Sequence, residues 1–352
     1  MTVNSSLRDS GTLADQGGAG RKADLVLEGG GVRGIGLVGA VLTLDAAGYK
    51  FQRVAGTSAG SIVAAIVAAL NAAGQPLSRL TEIMKTIDYP AFMNRAALGD
   101  AQLAERLITQ RGLYNGGAYL RTWLGKQLED IGITKFSQLR YTDSGADSNL
   151  RESQQYSLVV CVSDITRRVL VRLPWDYPRY GLNPDDQLIV EACIPSMSIP
   201  FFFRPYELNA VATTVDGIKY PAEQCTWVDG GVLDDYPVDM FDRTDGRPSR
   251  WETIGIKLES RQTVVPPARD NGGLITEVYD VIQTALNNSD RYYVGPEKAK
   301  RTMFVDTGTI SSTNFNINAD QQAQLFKSGQ DAARTFLAAN SAGTTAGKET
   351  AS

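Results

Sequence analysis

Short apolar runs of strand length alternate with longer apolar or amphipathic stretches along most of the chain. Leu25-Val26-Leu27 predicts a buried strand, and a glycine cluster follows it. The apolar stretch from Gly34 to Ala47 then predicts a helix that Gly48 ends as a C-cap. Phe51 to Ala55 predicts a second strand. Ser61 to Leu70 predicts a helix apolar on nearly every face, and therefore deeply buried. Residues 101–110 and 117–130 predict amphipathic helices on either side of Arg111-Gly112-Leu113-Tyr114.

Residues 142–155 form a polar break, after which Tyr156 to Val162 and Arg168 to Leu173 predict strands. Asp216-Gly217, between Val211-Ala212-Thr213 and Ile218-Lys219-Tyr220, predicts a hairpin turn. Strands are predicted at Thr253 to Leu258 and Met303 to Asp306, and helices at 274–288 and 320–338, the latter capped by Asp320. Strands alternating with helices predict an α/β fold whose central sheet is mainly parallel and covered on both faces.

The chain has 352 residues, enough for a sizeable core, and contains no internal repeat or sharp boundary. Residues 1–22 and 340–352 are poor in large apolar residues and are expected to be disordered tails, which leaves 23–339 as one folded unit. The N-terminal stretch has no apolar core for a secretory signal, and the longest apolar run, Ile62 to Leu70, is half the length needed to span a bilayer. A cytoplasmic location, with at most peripheral contact to a membrane, is the expectation. The net charge of -4 and the lack of any Lys/Arg run argue against nucleic acid as the main partner and against a purely electrostatic membrane anchor.

The sequence contains no histidine, which excludes a Ser-His-Asp triad and any His-ligated metal. Its cysteines, Cys161, Cys193 and Cys225, are too few and too scattered for a disulfide framework or a zinc site, and read as buried thiols. No metal or cofactor is expected.

Three motifs carry candidate chemistry. Gly29-Gly30-Gly31-Val32-Arg33-Gly34 lies between a predicted strand and helix, where backbone N–H groups can meet negative charge. A dinucleotide site would need an acidic residue about 20 positions further on. The stretch there, Gly48-Tyr49-Lys50-Phe51-Gln52-Arg53, has none. Gly56-Thr57-Ser58-Ala59-Gly60 also joins a strand to a helix. A nucleophile elbow needs small residues two before and two after its serine, because the turn is tight. Trp227-Val228-Asp229-Gly230-Gly231 places an aspartate at the end of an apolar run.

Together the motifs supply what serine hydrolysis requires. Ser58 is the candidate nucleophile and Asp229 the candidate base, and the backbone around Gly30, Gly31 and Val32 is the candidate oxyanion hole. An aspartate with a pKa near about 3.9 is a poor base for a hydroxyl. Asp229 must therefore be partly dehydrated and bonded directly to Ser58.

In order and spacing these motifs resemble those of the patatin-like phospholipase family, over most of the chain from about Asp24 to about Ala339. Gly29 to Gly34, preceded by Glu28, is similar to the family's oxyanion loop. Ser58, flanked by Gly56 and Gly60, matches its nucleophile, and Asp229, followed by Gly230 and Gly231, its catalytic aspartate. Ser196 to Phe203 and Asp306-Thr307-Gly308 resemble further segments of bacterial members.

The resemblance implies a three-layer α/β/α fold, a Ser–Asp dyad, phospholipase A-type lipid acyl hydrolysis through an acyl-enzyme, and no metal. A general esterase or acyltransferase on the same dyad is an alternative. A lipase held off until a ligand or partner binds is another, and a non-catalytic binding protein a fourth. There are two departures, of which the second bears on substrate preference. Glu28 stands where many members carry Asp, and Pro195 interrupts a usually helical stretch. Arg33 serves either an anionic headgroup or a local carboxylate. Ile199 and Phe201 to Phe203 form either an apolar lip that docks on lipid or part of the core.

Overall fold

The computed structural model describes residues 20–93, 100–141, 151–260 and 295–349, with Thr284. The predicted helix at 274–288 and most of the predicted tail 1–22 lie outside the described residues. The large sheet has the order β12 (Thr302–Asp306), β11 (Glu252–Glu259), β1 (Arg21–Leu27), β2 (Tyr49–Thr57), β4 (Leu158–Asp164), β10 (Glu223–Asp229), β7 (Tyr206–Ala210), and β5 (Val169–Leu173) also pairs with β4.

From β12 to β4 every pairing is parallel; beyond β4 the pairings with β5, β10 and β7 are antiparallel. The parallel part follows from strands with helical crossovers between them, whose residues read as unbroken apolar runs. β4 is buried along its whole length. In the antiparallel part β4 and β5 are joined by a short turn, whereas β10 pairs with β4 and β7 from further along the chain, a distinction that apolar runs alone do not encode.

Helices cover both faces. α1 (Ile35–Ala46) packs with α8 (Ala319–Glu349) against β11, β2 and β12, while α2 (Ala59–Ala72), α5 (Gly116–Ile131) and α6 (Ile189–Ser196) pack together on β2, β4 and β10. α2 is buried from Gly60 through Leu70, as its all-round apolar sequence predicts. The remaining helices are α3 (Arg79–Lys85), α4 (Asp100–Gln110) and α7 (Pro296–Lys300).

Outside the large sheet, β3 (Gly112–Tyr114) pairs with β6 (Phe201–Phe203). The hairpin of β8 (Thr213–Val215) and β9 (Ile218–Tyr220) turns at Asp216 and Gly217, both at positive φ.

Two boundaries differ from expectation. β1 begins at Arg21 rather than after residue 22, because Arg21 and Lys22 pair with Tyr49 and Lys50, and the Arg21 guanidinium lies 4.6 Å over the Tyr49 ring. α8 continues to Glu349, where a tail was expected from 340. Once its apolar stripe, including Leu325, Ala333 and Phe336, fixes the helix on the core, each added residue gains a backbone hydrogen bond without a new nucleus. No helix among the described residues is long and apolar enough to cross a membrane.

Candidate active site

The strand register brings Ser58 and Asp229 together. Thr57 at the end of β2 faces Cys161 of β4, and Asp229 at the end of β10 faces Val162, while β5 occupies the other edge of β4 across both positions, so β2 and β10 meet end to end along one edge of β4. This is the carboxyl end of the parallel strands, where open α/β sheets hold their ligands.

Ser58 sits at φ 50°, ψ -123°, a strained conformation for a residue with a side chain, and caps the N-terminus of α2. The flanking glycines make this turn sterically feasible. A Cβ on Gly56 would meet the Gly60 carbonyl, and a Cβ on Gly60 would meet the carbonyls of Leu27 and Glu28.

Ser58 Oγ donates to Asp229 Oδ2 at 2.7 Å, and the Gly231 N–H donates to Asp229 Oδ1 at 2.8 Å. Both carboxylate oxygens are therefore held, one by the nucleophile and one by the Asp-Gly-Gly turn. Gly230 fits tightly there, since its Cβ would meet the Cys161 carbonyl. Asp229 is 1% exposed, and burial together with the charge of Asp235 pushes its pKa up to about 8. Asp229 is thus buried and bonded directly to Ser58.

The glycine turn after β1 differs in detail from the expected donor set. The Gly29 N–H donates to the Asp235 carbonyl at 3.3 Å, the Val32 N–H to the Ser312 carbonyl at 3.0 Å, and the Arg33 N–H to the Gly30 carbonyl at 3.1 Å. Those three groups are already committed, because the turn closes into a short 3-10 helix over Gly31–Gly34 and is clamped by the segment after β12. Gly30 and Gly31 keep N–H groups without a protein partner among the described residues. Gly34 packs against Ala59, at the start of α2. Arg33 is buried with its Nε donating back to the Gly30 carbonyl at 3.4 Å, so it braces the turn.

Several residues of the site are not among the three motifs. The Ser58 N–H donates to Ser196 Oγ at 2.9 Å, and Ser196 Oγ donates in turn to the Cys161 carbonyl at 2.7 Å. The Asp229 N–H donates to the Ser198 carbonyl at 2.9 Å. The segment that begins at Ser196 thus orients both members of the pair, and its resemblance to a family segment is the signal that points to it. Pro195 sits in the last turn of α6 without ending the helix early. Glu28 is fully buried, ion-paired with Lys257 and accepting the Leu258 N–H, which ties the start of the glycine turn to β11.

A slot of about 40 Å3 opens on Ser58 and is walled almost entirely by apolar side chains, among them Ile62, Met84, Phe92, Ile199, Phe203 and Phe315. Phe315 stacks on Phe202 at 5.6 Å between ring centroids and meets Phe92 and Phe203 at the same separation. Ile199, Phe202 and Phe203 are buried, and Phe201 alone of that group is exposed, at 47%. The core reading therefore holds for three of the four residues, and the Phe202 and Phe203 rings both pack on Phe315. The three cysteines are buried, and burial pushes the Cys161 and Cys193 thiols up to about 12.

Fold and site define an α/β protein with a histidine-free serine–aspartate pair at the carboxyl ends of its strands. The profile of the patatin-like phospholipase family matches residues 25–242, and the chain belongs to that family and with it to the lipid hydrolases. It is 30% identical over 318 residues to the uncharacterized protein YqhO of Bacillus subtilis, covering 89% of this chain and 97% of that one. It is 25% identical over 325 residues to the uncharacterized protein R571 of Acanthamoeba polyphaga mimivirus, covering 87% and 90%. Among solved structures it is similar to VipD from Legionella pneumophila, at 15% identity and a TM-score of 0.47, over 91% of this chain and 67% of that one.

Proposed function

We propose that the protein is a phospholipase A-type acyl hydrolase in which Ser58 and Asp229 act as a dyad through an acyl-enzyme. The observation that carries this is the 2.7 Å hydrogen bond from Ser58 Oγ to Asp229 Oδ2. As Ser58 Oγ attacks the ester carbonyl carbon, its proton passes to Asp229. The resulting oxyanion is stabilised by the Gly30 and Gly31 N–H groups and by the positive end of α2. Collapse breaks the ester C–O bond, and Asp229 returns the proton to the departing lysolipid alcohol. Water then attacks the acyl-enzyme, giving its proton to Asp229. The fatty acid leaves as Ser58 recovers that proton. The apolar slot suits an acyl chain, and the protein meets its substrate at a membrane surface as a peripheral, cytoplasmic enzyme.

A second reading, activation by a ligand or partner, is favoured by the slot itself. At about 40 Å3 it holds little more than a water or two, so an acyl chain enters only when Phe92, Phe203 or Phe315 moves. Purified protein on a panel of phospholipid vesicles, with products read by mass spectrometry, tests the proposal. Free fatty acid and lysolipid should appear, and Ser58→Ala should abolish both. Products that persist with Ser58→Ala would overturn the assignment. Turnover only after a cell extract is added would select the second reading.

A further inference from the structure

The slot at Ser58 is walled by three phenylalanine rings that are not held alike. Phe203 is fixed on β6, which pairs with β3. Its ring lies so close to the start of α5 that a Cβ on Gly116 would meet three ring carbons at 2.5 to 3.0 Å. Phe92 sits in the short 3-10 helix Tyr89–Met93, with its ring edge-on to Tyr119 of α5 at 4.7 Å. The Asp88 N–H, just before that turn, donates to the Tyr119 hydroxyl at 2.7 Å and ties the turn to α5. Both rings are thus anchored on a helix of the scaffold.

Phe315 comes from a different kind of segment. It lies between β12 and α8, in a run of turns that contains no helix or strand. The N–H groups of Ile310, Asn314, Phe315 and Ile317 bond to the carbonyls of Thr307, Ser311, Thr313 and Asn314, all within three residues. Those bonds set the local shape of the segment and do not join it to the other walls of the slot. The ring is 4% exposed and meets Phe92, Phe202 and Phe203, each at 5.6 Å between centroids. An acyl chain offers the neighbouring rings the same dispersion contacts, so it can take the place of the Phe315 ring at little cost. Moving Phe203 or Phe92 would instead disturb the packing on α5.

The same segment clamps the glycine turn, but it does so through its backbone. The Ser312 carbonyl, three residues before Phe315, receives the Val32 N–H at 3.0 Å. Truncating the Phe315 side chain therefore enlarges the slot and leaves the clamp on the turn in place.

We propose that Phe315 is the residue that sets which acyl chains the slot accepts. With its ring in place, about 40 Å3 beside Ser58 admits only the first carbons of a chain. Longer chains enter when the ring swings aside or is made smaller. The proposal rests on the hydrolase reading and adds to it the acyl group selected, by length. A side chain on a loop over a rigid scaffold is a common place for such selection.

Hydrolysis of p-nitrophenyl butyrate and p-nitrophenyl octanoate, both kept monomeric, tests it in wild type, Phe315→Leu and Phe315→Ala. Wild type should have a kcat/KM at least about tenfold higher for the butyrate, the least that one misplaced methylene costs in an apolar pocket. In Phe315→Ala the octanoate-to-butyrate ratio should rise by at least about tenfold, and Phe315→Leu should fall between the two. Each ratio is taken within one preparation, so a variant that folds poorly loses both rates and keeps its ratio. If Phe315→Ala yields no folded protein, Phe315→Leu carries the test with the same direction of change. A ratio unchanged in the folded variants, or a wild type that already prefers the octanoate, would overturn the proposal and leave the hydrolase reading standing. No hydrolysis of either ester by any of the three proteins would overturn both.

Discussion

The Ser312 carbonyl receives the Val32 N–H at 3.0 Å and stands where a side chain on Gly31 would have to go. The segment after β12 therefore clamps the glycine turn after β1, and Gly31, at φ +55°, is doubly restricted. Gly31→Ala should push the turn off Ser312 and misplace its own N–H. The turnover of a soluble short-chain ester should fall by about 10²–10³, the usual loss of one oxyanion donor. Steady-state kinetics check this, and unchanged turnover would remove the turn from the chemistry.

A second consequence concerns pH. Burial and the Asp235 charge hold a proton on Asp229 up to about pH 8, and a protonated Asp229 cannot take the proton of Ser58. The kcat/KM for a soluble ester should therefore rise about tenfold per pH unit below about pH 8 and level off above it. Asp235→Asn removes the neighbouring charge, so its limb should move to lower pH. A pH–rate profile in which the limb does not move would show that Asp235 does not act on the base.

Stability should carry the opposite imprint. Asp229 binds its proton more tightly folded than unfolded, so its contribution is fully present below the ordinary carboxylate pKa of 3.8 and is lost as pH rises through about 8. Asp229→Asn keeps the shape and has no charge to bury. Its melting temperature relative to wild type should climb between about pH 4 and pH 8 and stay constant above. Melting curves across that range check the sign; a difference that shrinks with pH would mean Asp229 is not destabilised by burial.

Phe201 and Phe202 are adjacent but face opposite environments, the first 47% exposed and the second 7%. Phe202→Ser should destabilise by about 3–5 kcal/mol, as for a core phenylalanine, and lower activity on vesicles and soluble esters alike. Phe201→Ser should leave the melting temperature nearly unchanged and reduce activity on vesicles more than on the soluble ester. Parallel assays on both substrates decide it; equal losses for Phe201→Ser would remove that side chain from membrane contact.

Much of this arrangement is legible in the sequence, and the rest is not, for physical reasons. The glycines around Ser58 report local steric demands: Gly56 and Gly60 must be small because backbone atoms occupy their Cβ positions. The parallel strands announce themselves through apolar runs such as Leu158 to Val162. Contacts made across large sequence distances leave no such trace. The pairing of Glu28 with Lys257 spans 229 positions, and nothing near Val32 foretells that its N–H belongs to Ser312. Asp235 lies six residues after Asp229, but only the fold around Gly29 and Gly231 brings its charge to bear on Asp229. Phe201 to Phe203 could not be divided into exposed and buried members without knowing that Phe315 stacks on Phe202.

The most direct test of the central claim, that Asp229 activates Ser58 as the nucleophile, is fluorophosphonate labelling followed by peptide mass spectrometry. Wild type should gain a single adduct, on Ser58. Asp229→Asn should label slower by about 10²–10⁴, the usual contribution of a general base. An adduct on any other residue, or equally fast labelling of Asp229→Asn, would contradict the account.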